Sequence, residues 1–356
     1  MKKALIAMSG GVDSSLAAKL MIDNGFECIG CTMKLYHNED IGAEHTRTCC
    51  SLDDVEDARS VSYKLGMPYY VFNFTDDFRD KVIGKFVQSY ENGLTPNPCI
   101  DCNRYLKFDR LYNRAKILGC DYIVTGHYAR IEERDGKFIL KKAIDQTKDQ
   151  SYVLYSLTQE QLAHTLFPLG NLRKTEVRKL AEESGFVNAD KPDSQDICFV
   201  PGGDYAEFIE RYTGEKYPCG DFVSTEGKVL GRHKGTVRYT VGQRKGLGLS
   251  LPEPMYVQSI DTENNKVVLG KESELYTKEA TVKDFNWISG EEQRTEIRCK
   301  VKIRYRQDEK RAVVIPKPDK TVQIIFDEPQ RAITPGQAAV LYDGDILLGG
   351  GTISKG

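Results

Sequence analysis

Near the N-terminus, Ser9-Gly10-Gly11-Val12-Asp13-Ser14 joins the apolar stretch Ala4-Leu5-Ile6-Ala7 to a helical pattern over Asp13–Asn24 that puts Leu16, Leu20 and Met21 on one face. Gly10 and Gly11 let backbone N–H groups approach an oxyanion without hindrance from a Cβ. The first N–H groups of a helix lack intrahelical partners and its dipole is positive there, so this turn suits phosphate. Its spacing is neither that of a Gly-x4-Gly-Lys-Ser/Thr loop nor that of a Gly-x-Gly-x-x-Gly fingerprint. Thiols offer a second chemistry. Cys99 and Cys102 stand in Thr95-Pro96-Asn97-Pro98-Cys99-Ile100-Asp101-Cys102-Asn103, where two prolines stiffen the approach and Asn103 is placed to cap a helix from Arg104 to Leu118. Cys102 would then sit beside a helix N-terminus, with Arg104 close by, and both features raise the thiolate fraction. Cys198 lies in a polar segment bounded by Pro192 and Pro201.

The elements that position these groups alternate. Strands are expected at Ala4–Ala7, Cys28–Lys34, Tyr69–Phe74 and Tyr122–Thr125, and helices at Asp13–Asn24, Leu52–Leu65, Asp76–Asn92 and Asn103–Leu118. Ser51 is placed to cap the second helix, and Gly66-Met67-Pro68 to end it. This order predicts an α/β fold, a doubly wound parallel sheet with ligands at the carboxyl ends of its strands. Asp135-Gly136 reads as the turn of a hairpin between Tyr128–Ile131 and Phe138–Lys142, and helical patterns return at Thr158–Thr165 and Lys174–Ser184. After Pro201 the texture changes to glycine-rich turns and short alternating segments. The expected division is 1–204 for the nucleotide-binding catalytic domain, 205–278 for a small central linking domain and 279–356 for a C-terminal β-barrel.

Of the 356 residues, 40% are hydrophobic and 29% charged, values ordinary for a globular chain, and no apolar run approaches the ~20 residues of a membrane helix. Met1-Lys2-Lys3 runs straight into the first strand, so no signal or transit peptide and a cytoplasmic, bacterial setting are expected. A net charge of −2 excludes a chain coated in basic charge but not a local nucleic-acid face. In that setting the 10 cysteines point to redox, metal or catalytic use rather than a disulfide framework. Cys49-Cys50 is read as structural.

The Ser9–Ser14 turn resembles the signature of the PP-loop family, whose members split ATP between its α and β phosphates. Taken in order, SGGVDSS, TPNPCIDCN, TGHYAR, KDQSYVL, KPDSQDICFV, YTVGQRKGLG and PGQAAV resemble the tRNA-specific 2-thiouridylase family from residue 8 to about 340. That resemblance implies an adenine-nucleotide α-hydrolase-like domain, a small central domain and a terminal β-barrel. It implies an ATP- and Mg²⁺-dependent sulfurtransferase that adenylates the wobble uridine of tRNAs for Glu, Gln and Lys and replaces its C2 oxygen with sulfur. By the same resemblance Cys198 carries a persulfide and Cys102 is the nucleophile, able to close a disulfide with Cys198 as sulfur is delivered. Ala7, Met8, Ser9, Gly10, Gly11, Val12, Asp13, Ser14, Met33 and Gly126 would bind the nucleotide, with Asp13 on Mg²⁺ or orienting the turn. Asn97, Pro98, Cys99, His127, Lys148, Asp149, Gln150, Arg304, Tyr305 and Gln337 would meet the tRNA, its anticodon loop presenting a splayed base. The partners implied are tRNA and a sulfur donor, either a cysteine desulfurase or a relay protein, with the chain itself a monomer.

Many relatives carry Asp where this chain has Cys99, which leaves the proton-transfer role without an obvious owner beyond nearby Asp101. Cys99, Cys102 and Cys198 together could instead ligate an iron–sulfur cluster that carries the sulfur. Further alternatives are another PP-loop ligase, which needs no paired thiols, and a nucleotide-gated RNA-binding protein without catalysis. Arg298, Lys300, Lys302, Arg304 and Arg306 alternate with Cys299, Val301, Ile303 and Tyr305. On a strand these cations would share one face at roughly 6.6 Å spacing, suited to a phosphate backbone.

Overall fold

The protein is described here from a computed structural model that covers residues 1–37, 52–191 and 197–355. The expected Ser51 cap, the Cys49-Cys50 pair and most of the segment leading to Cys198 lie outside the described residues. β1 (Lys3–Ala7) is apolar on both faces: Leu5 packs to one side, Ala4 and Ile6 to the other, and none retains exposed surface. A strand of that kind belongs in the middle of a parallel sheet. It is flanked by β2 (Glu27–Lys34) with β3 (Tyr69–Asn73) beyond it, and on the other side by β4 (Tyr122–Val124). The chain then forms a hairpin of β5 (Ala129–Arg134) and β6 (Lys137–Lys142) before β7 (Thr165–Leu166) completes the sheet. The order β3-β2-β1-β4-β7 is parallel throughout and reverses at β1, so the crevice between the carboxyl ends of β1 and β4 is the place for a ligand.

α1 (Val12–Asp23) and α2 (Leu52–Lys64) cover the Ala4/Ile6 face together with the helix Lys174–Glu183. Two longer helical runs cover the Leu5 face, Thr75 to Glu91 and Pro98 to Ile117. Both contain π-helical turns, over Arg79–Ile83 and Cys102–Arg110. Such wide turns recur at functional sites, because the extra residue re-aims the side chains around it. The second run starts at Pro98, five residues before the expected Asn103, because Asn97 is its cap: its side chain accepts the Cys99 N–H at 3.2 Å, with Pro98 at the first helical position.

The remainder is β. A four-stranded sheet of order β10-β11-β8-β9 is built from β8 (Gly220–Ser224), β9 (Val229–His233), β10 (Tyr256–Asp261) and β11 (Lys266–Gly270) around Phe222, Val257 and Leu269. β12 (Tyr276–Trp287), β13 (Ile297–Lys302), β14 (Lys310–Pro316), β15 (Val322–Arg331), β16 (Ala338–Asp343) and β17 (Ile346–Ile353) form a barrel, closed where β12 pairs with β17. The β5–β6 hairpin, turned at Asp135 and Gly136 with φ of 52° and 74°, does not stay with the parallel sheet. It extends the barrel sheet through the pairing of Ile346 with Lys141. Tyr152, Leu154 and Tyr155 share one core with Ile288, Val340 and Tyr342, and the Tyr152 hydroxyl donates to the Ala338 carbonyl at 2.9 Å. The parallel-sheet half and the barrel are thus bonded together. Among the described residues no helix is long and apolar enough to cross a membrane.

Candidate active site

The phosphate turn lies at the carboxyl end of β1, in the crevice the topology singles out. Gly11 occupies the N-cap of α1 in extended conformation and contributes no side-chain cap, so the helix presents uncapped N–H groups. Gly10 has φ of +72°, and a Cβ there would lie 2.7 Å from the Asp54 Cα, so the backbone path admits only glycine. Ser14 ties the turn to itself: its hydroxyl accepts the Ser9 N–H at 3.2 Å and donates to the Gly11 carbonyl at 3.0 Å. Ser15 adds a bond to the same carbonyl at 3.1 Å. Gly126, just beyond β4, backs onto this first turn; a Cβ on it would sit 2.9 Å from the Ser14 nitrogen.

Four residues outside the motif complete the frame. The Asn188 amide donates to the Gly10 carbonyl and to the Ser15 hydroxyl, both at 2.9 Å. Lys191 reaches Asp54 at 2.5 Å, Asp57 at 2.8 Å and the Gly10 carbonyl at 3.4 Å. Lys174 holds both oxygens of Asp13 at 2.7 and 2.8 Å, and the Tyr128 hydroxyl donates to one of them at 2.8 Å. Sequence reading missed all four, since nothing in their spacing links them to the turn. Asp13 is therefore ion-paired and tied to both Lys174 and Tyr128. Met8 and Val12 bury their side chains in the core, at 2% and 3% exposure, so they can offer a nucleotide only backbone. Ala7 ends β1, and Met33 lies inside β2, partly buried against the Leu5-side core.

His127 departs from its expected role. It is 7% exposed, packs against Phe108 and Phe167 at 6.1 and 5.8 Å between ring centroids, and pairs through Nδ1 with the Thr125 hydroxyl at 2.7 Å. Burial, with Lys107 adding repulsion, holds its pKa well below the ordinary 6.5. Its imidazole is packed as a core side chain.

Cys99 is exposed at the start of its helix, whereas Cys102 is half-buried one turn further in. The expected N-terminal position of Cys102 thus belongs to Cys99, and Asn103 is no cap: it is 2% exposed and its amide donates to the Val153 carbonyl at 3.2 Å. Asp101 is also turned inward, on Lys85 at 2.6 Å, and burial raises its pKa against that pull. It offers no free carboxylate for proton transfer. Cys198 is half-buried, as is Cys102, and both pack against the apolar core that contains Phe78, Phe86 and Phe199. Phe199 anchors the Cys198 segment, its ring lying 5.6, 5.2 and 5.2 Å from Phe78, Phe86 and Phe208, while the Tyr36 hydroxyl donates to the Cys198 carbonyl at 3.0 Å.

The cationic stripe is only partly formed. β13 ends at Lys302, so Arg304, Tyr305 and Arg306 lie in the following turn. Arg298 and Lys300 are exposed, Lys302 is half-buried, and Arg304 is spent on the fold. One Arg304 nitrogen, Nη2, meets the Val241 and Ala332 carbonyls at 3.3 and 3.1 Å and the Thr334 hydroxyl at 2.5 Å. The remaining expected contacts do converge. The Tyr305 hydroxyl donates to the Asp149 carbonyl at 3.3 Å; burial, then the proximity of Asp149 and Cys99, raises its phenol. Gln337 donates to the Thr95 carbonyl at 2.8 Å, while the Thr95 N–H reaches the Pro335 carbonyl at 2.9 Å, so the barrel grips the Thr95–Pro98 approach to the thiols. Lys148, Asp149 and Gln150 form a turn built around Asp149, whose carboxylate accepts the Ala143 N–H at 3.0 Å and the Ser151 hydroxyl at 2.8 Å.

Residues 2–202 match the family model described as tRNA methyl transferase HUP domain, 206–271 the tRNA methyl transferase PRC-barrel domain, and 277–353 the aminomethyltransferase beta-barrel domain. The chain is 53% identical to the tRNA-specific 2-thiouridylase MnmA of Acetivibrio thermocellus, over 99% of each chain. It is 49% identical to the protein of the same name from Clostridioides difficile, over 99% of this chain and 98% of the other. The chain belongs to the tRNA-specific 2-thiouridylase family. The solved structure of a 4-thiouridine synthetase–RNA complex with bound ATP is a partial likeness, with TM-score 0.37 and 20% identity over 60% of this chain and 50% of that one.

The family's PP-loop domain implies ATP and Mg²⁺. The uncapped turn fits the phosphates of ATP. Mg²⁺ usually takes one or two carboxylates besides the phosphates and water, and Asp13, held by Lys174, is the carboxylate within the turn. The iron–sulfur alternative is not supported: among the described residues no three His, Cys, Asp or Glu side chains gather to hold a metal, so Cys99, Cys102 and Cys198 do not form a ligand set.

Proposed function

We propose that this chain converts the wobble uridine of tRNAs for Glu, Gln and Lys to 2-thiouridine, consuming ATP and releasing AMP and pyrophosphate. The observation that supports this reading is a chain of bonds from the phosphate turn, through Asp13, Tyr128 and Gln150, to the Asp149 turn that Tyr305 meets. The phosphate turn stands at the end of β1. The Cys99–Cys102 helix starts where barrel residue Gln337 fastens Thr95. Tyr305 meets the Asp149 turn. In the reaction, the uracil O2 attacks the α-phosphorus of ATP, and the Ser9–Ser14 turn retains the leaving pyrophosphate through its N–H groups. Mg²⁺ supplies charge neutralisation at the phosphates when bound. The terminal sulfur of a Cys198 persulfide then attacks C2 and displaces AMP. Cys102 thiolate attacks the inner Cys198 sulfur, so the S–S electron pair passes to the transferred sulfur and a Cys102–Cys198 disulfide forms. Two electrons from a thiol reductant restore both thiols.

In this reading Ala7 through Ser14, Met33 and Gly126 line the nucleotide side. Asn97, Pro98, Cys99, Lys148, Asp149, Gln150, Tyr305 and Gln337 border the tRNA. The units 1–204, 205–278 and 279–356 divide catalysis, linkage and tRNA contact, as a cytoplasmic monomer fed by a cysteine desulfurase or relay protein. The test is thiolation of a tRNA-Lys transcript with ATP, cysteine and a desulfurase. Cys198→Ser and Cys102→Ser should each lower 2-thiouridine on the order of a thousandfold while pyrophosphate release persists. Undiminished thiolation by Cys198→Ser would remove the persulfide scheme, and no thiolation by the unaltered protein would remove the assignment.

A further inference from the structure

Asp13 sits inside a closed ring of bonds that no part of its motif announces. Its carboxylate accepts the Tyr128 hydroxyl at 2.8 Å, and the Tyr128 backbone is clamped by Gln150 at both polar groups. The Gln150 side-chain oxygen accepts the Tyr128 N–H, and the Gln150 N–H donates to the Tyr128 carbonyl, each at 2.9 Å. On the other side Asp13 holds the Lys174 ammonium, which is 9% exposed, and the Lys174 backbone N–H donates to Asp145 at 2.9 Å. Asp145 opens the same turn that Gln150 closes. It accepts the Thr147 N–H at 3.1 Å and the Thr147 hydroxyl at 2.6 Å, and its carbonyl accepts the Lys148 N–H at 3.1 Å. The Lys174 ammonium also lies 5.7 Å from the centre of the Tyr128 ring. Both ends of the Asp145–Gln150 turn are therefore attached to one carboxylate in the phosphate turn.

From this ring we infer that Tyr128 and Lys174 are positioning residues that make pyrophosphate release respond to tRNA on the Asp145–Gln150 turn. The inference rests on the proposed roles of the Ser9–Ser14 turn and of Lys148–Gln150. A displacement of the turn at Gln150 shifts the Tyr128 backbone and hydroxyl, and one at Asp145 shifts the first residue of the Lys174–Glu183 helix. Either reaches Asp13, and through it the start of α1, where the uncapped N–H groups stand. Coupling of this kind needs a continuous set of specific bonds, and here each link is a short, directional one.

The experiment measures pyrophosphate release with tRNA-Lys transcript and with a uridine trinucleotide, which supplies the reacting uracil alone, alongside tRNA affinity by filter binding and thermal stability. Tyr128→Phe keeps the ring and removes one bond to Asp13. It should cut tRNA-dependent pyrophosphate release about tenfold through kcat, leaving tRNA affinity within about twofold. Lys174→Met should cost more, and Lys174→Arg should recover part of the loss, because it restores the charge facing Asp13. Full tRNA stimulation in Tyr128→Phe overturns the inference. So does a loss in which tRNA affinity, stability and turnover fall together, the mark of a structural role alone. Absence of tRNA-dependent pyrophosphate release in the unaltered protein would instead strike the functional reading itself and take the inference with it.

Discussion

Around the Ser9–Ser14 turn the neighbours are polar and tightly bonded: Asn188 and Lys191 hold Gly10 from behind, while Lys174 and Tyr128 hold Asp13. Cys102 and Cys198 instead pack against the apolar core on the Leu5 side of the sheet, whose rings include Phe78, Phe86 and Phe199. The contrast follows from what each half must do. A leaving pyrophosphate is stabilised by dipoles already fixed in place, because reorganising them during reaction would cost the benefit. A sulfur that is loaded, handed on and then drawn into a disulfide must meet several partners in turn. An apolar shelf holds its chain segment through the Phe199 ring.

The sharpest way to break this contrast is Gly10→Ala. The new methyl meets the Asp54 backbone in a conformation with φ of +72°, so the turn must shift. A shift of about 1 Å is enough to cost on the order of a hundredfold in ATP-dependent pyrophosphate release. Persulfide loading of Cys198, followed by mass spectrometry after incubation with a desulfurase, should be unchanged. If loading falls in parallel, the two regions are not separately built.

A smaller effect separates cations that look alike in sequence. Arg304→Ala removes the donor to the Val241 carbonyl, while the Thr334 hydroxyl still donates to Ala332, and should lower stability by roughly 1 kcal/mol. Lys300→Ala, on the exposed side of β13, should leave stability within about 0.5 kcal/mol but reduce the log–log salt slope of tRNA binding by about 1. The reverse pattern, a salt effect at Arg304 and a stability loss at Lys300, would restore the continuous stripe that alternation alone suggests.

That pair also marks where sequence reading reaches and where it stops. The Ser9–Ser14 turn was legible because its chemistry is local: a buried strand, glycines and a helix start define an anion site within a few residues. The doubly wound sheet was legible for the same reason, since Leu5, Ala4 and Ile6 already show a strand buried on both faces. The start of the Pro98 helix was misread because Asn97 and Asn103 are equally good caps by type, and Pro98 at the first helical position decides for Asn97. Arg304 was misread because a strand that ends at Lys302 no longer alternates. The partners of Asp13 and Gly10 were invisible, since Lys174 and Asn188 lie more than 160 positions away in the chain. The transfer of the β5–β6 hairpin to the barrel, through Ile346 and Lys141, is likewise a long-range pairing that no local pattern encodes.

His127 sharpens the contrast from inside the polar region, because it is an imidazole treated as core. Its pKa lies well below 6.5 when folded, through burial first and Lys107 second, and near 6.5 when unfolded. The unfolded chain therefore binds a proton as pH falls through 6.5 while the folded one does not, so stability is present above that pH and is lost below it. From pH 7.5 to 5.5 this one group should remove at most about 1.4 kcal/mol, read as a drop in the urea midpoint. In His127→Asn the absolute stability will differ, but the difference in slope between the two proteins isolates the imidazole from the other titrating groups. An equal slope in both would mean that His127 takes up its proton in the folded state. It would then return to the side of the crevice that faces substrate.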